Sequence, residues 1–200
     1  NITVQQAGDI LAEAIILARV IDEIQDSQAK RYLVHIYDMG VLEHHNRRGF
    51  LVMEFVPGMS LKTKMEHFQR MPTDMCLRYI QQICTSLSAL HSLEQPVIHR
   101  DLKPDNVQLT KSDEVRILDF GLAARIEKIY GYVEGAAGTE GYMSPETSMR
   151  HESNCASDVY SIGVMMYEML TGEHPFKATT PMALILKHIA VKLTMICFVS

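Results

Sequence analysis

Residues 156–170 carry Val159, Ile162, Val164, Met165, Met166, Met169 and Leu170, which cover every side of any helix this segment could form. A helix with no polar face has to be surrounded by other elements. The segment is therefore expected at the centre of a mostly helical body, with Gly172 and Pro175 closing it. The chain is long enough to supply that surround. Its 200 residues are 47% hydrophobic and 22% charged, which suits one domain, or one domain with a small lobe attached.

Other segments declare themselves by spacing. Over residues 9–24, Ile10, Ala14, Leu17, Ile21 and Ile24 recur at 4-3-4-3 spacing, predicting an amphipathic helix. Strand-like runs follow at 33–41 and 49–56, and Pro57-Gly58 ends the second. Between them, His44, His45, Arg47 and Arg48 suit a solvated hairpin loop, with no further ligand at hand for a metal. Residues 72–91 repeat the helical spacing through Cys76, Ile80, Ile83, Leu87 and Leu90, and Pro72 sits at the start, where a missing N–H is harmless. Short strands at 107–110 and 115–118 flank the polar turn at 111–114. A loop is expected over 119–146 and a last helix over 180–191. The order is one helix and a few strands, then a mostly helical lobe, an α+β arrangement.

A formal net charge of −5 with no long run of either sign argues against a nucleic-acid partner. Cys76, Cys84, Cys155 and Cys197 are scattered, which suits a reducing, cytoplasmic setting. No segment reads as a signal peptide or a membrane span; the apolar run at 189–199 is broken by Lys192. The first residue is Asn rather than Met.

The chemistry is concentrated in His99-Arg100-Asp101-Leu102-Lys103-Pro104-Asp105-Asn106 and Asp119-Phe120-Gly121. Asn106 immediately precedes one predicted strand and Asp119 immediately follows the next. An antiparallel hairpin returns to its starting end, with strands roughly 4.8 Å apart, so the two oxygen-bearing side chains are delivered side by side. Hard oxygen ligands placed that way suit Mg²⁺. Asp101 and Lys103 lie on the loop that enters the same end. One acid, one cation and two metal ligands form the inventory that phosphoryl transfer needs. Asp101 would orient a hydroxyl and accept its proton, and Lys103 would face the transferring phosphate.

The sequence resembles eukaryotic-type Ser/Thr protein kinases, including those found in bacteria. HRDLKPDN at 99–106 is similar to the family's catalytic loop and DFG at 119–121 to its metal-binding motif. GTEGYMSPE at 138–146 resembles the end of the activation segment, and DVYSIGV at 158–164 the start of the central buried helix. The resemblance runs from about residue 9 to about residue 189. It implies a protein-kinase-like two-lobe fold. Residues 1–56 would be the remnant of a small N-terminal lobe, with a hinge at 54–56. Residues 57–200 would be a mainly helical C-terminal lobe short of its final helices. It also implies ATP and Mg²⁺ as cofactors and a protein substrate with a Ser or Thr acceptor. Lys103, two residues after Asp101, suits the Ser/Thr branch.

Residue by residue, the resemblance makes Asp158 a clamp on the catalytic-loop backbone and Thr139 a bridge between Asp101 and Lys103. Met53, Glu54 and Val56 would border the adenine, with Met53 as gatekeeper. Glu13 would pair with a phosphate-anchoring lysine, and Leu17, Ile36, His99 and Phe120 would stack between the lobes.

Several departures from the family pattern carry expectations of their own. No glycine-rich loop or strand lysine precedes the Glu13 helix, and the first lysine is Lys30. A chain cut short at both ends, with weak ATP binding, is expected. Gln108 stands where the family places an apolar residue beneath adenine. No Ser or Thr lies between Gly121 and Gly138, so Glu127 or Glu134 is expected to give Arg100 a standing negative charge; Tyr130 and Tyr132 are the only hydroxyls there. Glu146 resembles the glutamate that pairs with a late arginine, yet none follows Arg150. An orphaned buried partner of that kind costs roughly 3–5 kcal/mol. Two other readings stand beside the kinase. One is a catalytically dead, pseudokinase-like or truncated binding module. The other is a small-molecule phosphotransferase of the same fold, against which Lys103-Pro104 and the 138–146 segment argue.

Overall fold

The computed structural model describes residues 20–42, 48–126, 129–135 and 137–190. A helical turn at 20–23 leads to α1 (Ser27–Arg31), whose first N–H groups are capped by the Asp26 carboxylate. Strands β1 (Ile36–Leu42) and β2 (Arg48–Met53) pair antiparallel. After β3 (Gly58–Ser60), Ser60 caps α2 (Leu61–Glu66), and the long helix α3 follows (Thr73–His91). β4 (Val97–Ile98) and a 3₁₀ turn at Pro104–Asn106 precede the hairpin of β5 (Val107–Thr110) and β6 (Val115–Ile117). β7 (Ala124–Arg125), β8 (Val133–Glu134), α4 (Pro145–Arg150) and β9 (Glu152–Ser153) come next. Helices α5 (Cys155–Thr171) and α6 (Pro181–Ala190) complete the described chain. β3, β5 and β6 form one sheet, while β4 pairs with β7 and β8 with β9.

The core gathers around α3. Its buried face is Cys76, Tyr79, Ile83, Ser86, Leu87 and Leu90. Tyr79 takes the fully buried place that spacing assigned to Ile80, which is only partly buried. The Ser86 hydroxyl donates to the Ala29 carbonyl at 2.7 Å and docks α1 onto this face. Val20 and Ile24 join the same core, so the end of the expected 9–24 helix is anchored there. The rest of that helix, with Glu13 and Leu17, lies outside the described residues, as do His44, His45, Arg47 and Glu127.

Two expectations change. The first strand starts at Ile36 rather than at residue 33. Residues 32–34 pair instead with the far hairpin: Val34 N–H donates to the Ile117 carbonyl at 3.0 Å, and Ile117 N–H to the Tyr32 carbonyl at 2.7 Å. Buried Leu33 and Val34 would otherwise leave both backbone groups unpaired in an apolar core. The central helix α5 is also not buried all round. Val159 is 59% exposed, whereas Ser157, Asp158, Ser161 and Glu168 are buried. The helix turns a polar set inward because each of those groups meets a partner there. Within the expected 119–146 loop, Ser144 followed by Pro145 starts α4, a cap-and-proline signal present in the sequence.

Candidate active site

The β5–β6 hairpin sets the geometry. Val107, Leu109, Val115 and Ile117 alternate into the core, and the register pairs Val107 with Ile117. One step further, Leu118 N–H donates to the Asn106 carbonyl at 2.8 Å. Asn106 and Asp119 thus leave the same end of the hairpin, as strand geometry required. Asp119 has a left-handed backbone, φ 54°, and its exposed carboxylate accepts from Gly121 N–H at 3.2 Å. Asn106 is buried, and its amide nitrogen donates to the Asp101 carbonyl at 2.8 Å and to Asp101 Oδ2 at 3.0 Å. Its carbonyl oxygen Oδ1 is the atom left to hold a cation.

Asp101 sits at the centre. Its Oδ1 accepts from the Thr139 hydroxyl at 2.7 Å, and its Oδ2 lies 2.9 Å from Lys103 Nζ. Lys103 Nζ also donates to Thr139 Oγ1 at 2.8 Å, closing a three-membered ring of contacts. Burial pulls the Asp101 pKa upward, but the hydrogen bonds and charge from Thr139, Lys103 and Asn106 outweigh it, so the carboxyl titrates below its usual range. It is thereby held as an anion. Gly138 makes the approach of Thr139 possible. Its φ is 118°, and a Cβ there would meet the Arg100 carbonyl oxygen at 2.5 Å.

The loop is held from below by Asp158, which is 1% exposed. Its two oxygens accept the backbone N–H groups of His99 at 2.9 Å and Arg100 at 3.0 Å. His91 Nε2 lies 2.8 Å from Oδ2, a partner at the end of α3 that no motif signalled. These bonds hold Arg100 at φ 69°, a conformation a non-glycine residue rarely adopts. His99 Nδ1 accepts Asp101 N–H at 3.3 Å, so the other ring nitrogen donates to the Leu118 carbonyl at 3.0 Å. The His99 ring also lies 4.6 Å from that of Phe120. Both motif strings are therefore tied by one imidazole. Ile36, placed in the same stack from the sequence, is partly buried against the core.

Residues 53–56, where the sequence suggested a hinge, run beside β5. Glu54 N–H donates to the His35 carbonyl at 2.7 Å, and Arg116 Nε is 3.5 Å from the Glu54 carboxylate. Met53 is half-exposed and Val56 is buried. Gln108 alternates away from the core, and its amide donates to the Val56 carbonyl at 3.4 Å. Glu13 lies outside the described residues.

Two charge expectations are corrected. Glu146 is not orphaned: the Ser157 hydroxyl of α5 donates to its Oε1 at 2.8 Å. Of the two acidic partners expected for Arg100, Glu134 is not the one it bonds, because Arg100 Nη2 donates to the Gly135 carbonyl; Glu127 lies outside the described residues. Glu134 instead stands opposite Glu152 in the β8–β9 ladder.

Asn106 Oδ1 and the Asp119 carboxylate are hard oxygen donors in a small number, which fits Mg²⁺ completing its shell with phosphate and water. Among the described residues, no cluster of three or more His, Cys, Asp or Glu could hold a metal. Nor is any described helix long and apolar enough to cross a membrane.

Comparison with known proteins gives the family. A family profile described as "Protein kinase domain" matches residues 6–198. A probable serine/threonine-protein kinase of Clostridium acetobutylicum is 35% identical over 162 residues, covering 80% of this chain and 24% of the relative. PknA, a serine/threonine-protein kinase of Corynebacterium glutamicum, is 38% identical over 141 residues, 70% of this chain and 30% of its own length. PknB, a serine/threonine-protein kinase of Mycobacterium leprae, is 31% identical over 187 residues, 91% of this chain and 30% of the relative. The chain spans about a quarter to a third of the length of these relatives. With the family profile matching nearly end to end, the chain belongs to the protein kinase domain family.

Proposed function

We propose that this domain transfers the γ-phosphoryl group of ATP to Ser or Thr hydroxyls of a protein substrate. The observation that carries the reading is the Asp101 carboxylate, buried yet held anionic by Thr139, Lys103 and Asn106. A carboxylate kept in that state is ready to orient an acceptor hydroxyl and take its proton, an effect worth typically ~10²–10⁴-fold. Lys103 Nζ, tethered by Thr139, stands beside Asp101 to receive negative charge on the transferring group. Asn106 and Asp119 would hold Mg²⁺, which neutralises phosphate charge when bound. Met53, Glu54 and Val56 would border the adenine with Gln108 beneath it, and Glu13 would pair with an anchoring lysine. On this reading, residues 1–56 belong to the small lobe, with the hinge at 54–56, and residues 57–200 to the mainly helical lobe.

The free thiols Cys76, Cys84 and Cys155 suit the reducing, ATP-supplying cytoplasm; burial pushes the Cys76 thiol up to about 11, leaving it inert. The test is γ-phosphate transfer from ATP to a generic Ser/Thr protein acceptor with Mg²⁺, comparing wild type with Asp101→Asn and Asp119→Asn in the intact protein. Transfer lost in both variants supports the reading. Magnesium-dependent nucleotide binding by wild type with no transfer would instead mark a non-catalytic binding module.

A further inference from the structure

The two-residue ladder of β4 and β7 joins both halves of the site. Val97 pairs with Arg125 and Ile98 with Ala124, and Ile126 N–H donates to the Pro96 carbonyl at 2.8 Å. β4 runs directly into His99, Arg100 and Asp101. β7 follows Asp119, Phe120 and Gly121 by three residues. So short a ladder is weak by itself. It is reinforced from outside by the Glu23 side chain: Arg125 Nη2 lies 2.6 Å from Glu23 Oε1 and Nη1 lies 3.1 Å from Glu23 Oε2. This is the parallel two-bond fork that fixes orientation as well as distance. The residues are 102 positions apart, and Glu23 lies between core-anchored Val20 and Ile24, so the fork is fastened to a firm point.

Resting on the phosphotransfer reading, we propose that Arg125 is a positioning residue. Its fork on Glu23 locks the β4–β7 ladder to the helical turn at 20–23 and thereby sets the relative placement of Asp101 and Asp119. Arg125 lines a cavity of about 360 Å³ with Glu23, Glu94 and Gln95, and a second of about 280 Å³ with Tyr130, Tyr132, Val133 and Glu134. The Arg125 side chain is 25% exposed and that of Glu23 44%, so the fork is open to ionic screening.

The experiment compares wild type, Arg125→Ala, Arg125→Lys and the charge exchange Glu23→Arg with Arg125→Glu in the intact protein. Misplacing catalytic groups without touching substrate should lower kcat about 10- to 100-fold in Arg125→Ala while KM for ATP changes little. Arg125→Lys should recover only part, because an ammonium cannot make the fork, and the charge exchange should recover more. Amide exchange at Ile98 and Ala124 should quicken in Arg125→Ala and slow again in the charge exchange. Unchanged kcat in Arg125→Ala beside an active wild type overturns the proposal. Should wild type itself transfer no phosphate, the phosphotransfer reading fails separately, and the exchange rates still decide: equal protection in all forms overturns the clamp.

Discussion

The Thr139 hydroxyl donates to Asp101 Oδ1 at 2.7 Å although the two residues are 38 positions apart. Thr139 Oγ1 in turn accepts from Lys103 Nζ, which also pairs with Asp101 Oδ2, so one hydroxyl keeps the anion and the cation in register. Thr139→Ala removes a donor that holds the Asp101 pKa down, so that pKa should rise. The acidic limb of the kcat/KM profile should move to higher pH, and activity at neutral pH, where Asp101 remains anionic, should fall at least several-fold because Asp101 and Lys103 lose the hydroxyl that positions them. Thr139→Ser keeps the hydroxyl and should restore both, which steady-state kinetics across pH will read.

Gly138 is required twice over, by its positive φ and by the 2.5 Å approach to the Arg100 carbonyl. Gly138→Ala should push Thr139 away from Asp101. Its expected signature is an activity loss like that of Thr139→Ala with no recovery from a serine at 139, measured in the same assay.

Asp158 is the buried acceptor for two backbone N–H groups and the neighbour of His91. Asp158→Ala leaves both donors unsatisfied, at about 1–3 kcal/mol each. A urea titration should show a midpoint shifted down by the sum. Asp158→Asn can still accept through one oxygen and should shift it less. Activity should fall in both, because Arg100 loses what holds its left-handed backbone.

His188 on α6 packs against Phe176 with ring centroids 4.0 Å apart, with the Tyr160 hydroxyl 2.6 Å from Nδ1 and Nε2 buried without a hydrogen-bond partner among the described residues. Burial first, and nearby His174 second, lower its pKa to about 4. The unfolded chain takes up this proton near pH 6.5 and the folded chain only near 4. Stability from this site is therefore whole above pH 6.5 and falls as pH drops toward 4, by at most about 1.4 kcal/mol per pH unit. Urea midpoints at pH 7 and pH 5 should differ in wild type, and His188→Phe should flatten the difference.

Sequence alone determined the chemistry and its neighbourhood. Asn106 and Asp119 could be placed together before any coordinates because a hairpin has only one way to return, and alternation at Val107, Leu109, Val115 and Ile117 names its buried face. The long helices were legible for the same reason: their periodicity is local. Tertiary structure decided what depends on contacts between distant segments. It set the Ser157 hydroxyl on Glu146, took residues 32–34 from the first sheet to the hairpin, and turned Ser161 and Glu168 inward on a helix that spacing made wholly apolar. It alone brought Arg125 onto Glu23. Local backbone preferences are written residue by residue, whereas the partner of a buried polar group is whichever donor or acceptor the folded chain brings within reach.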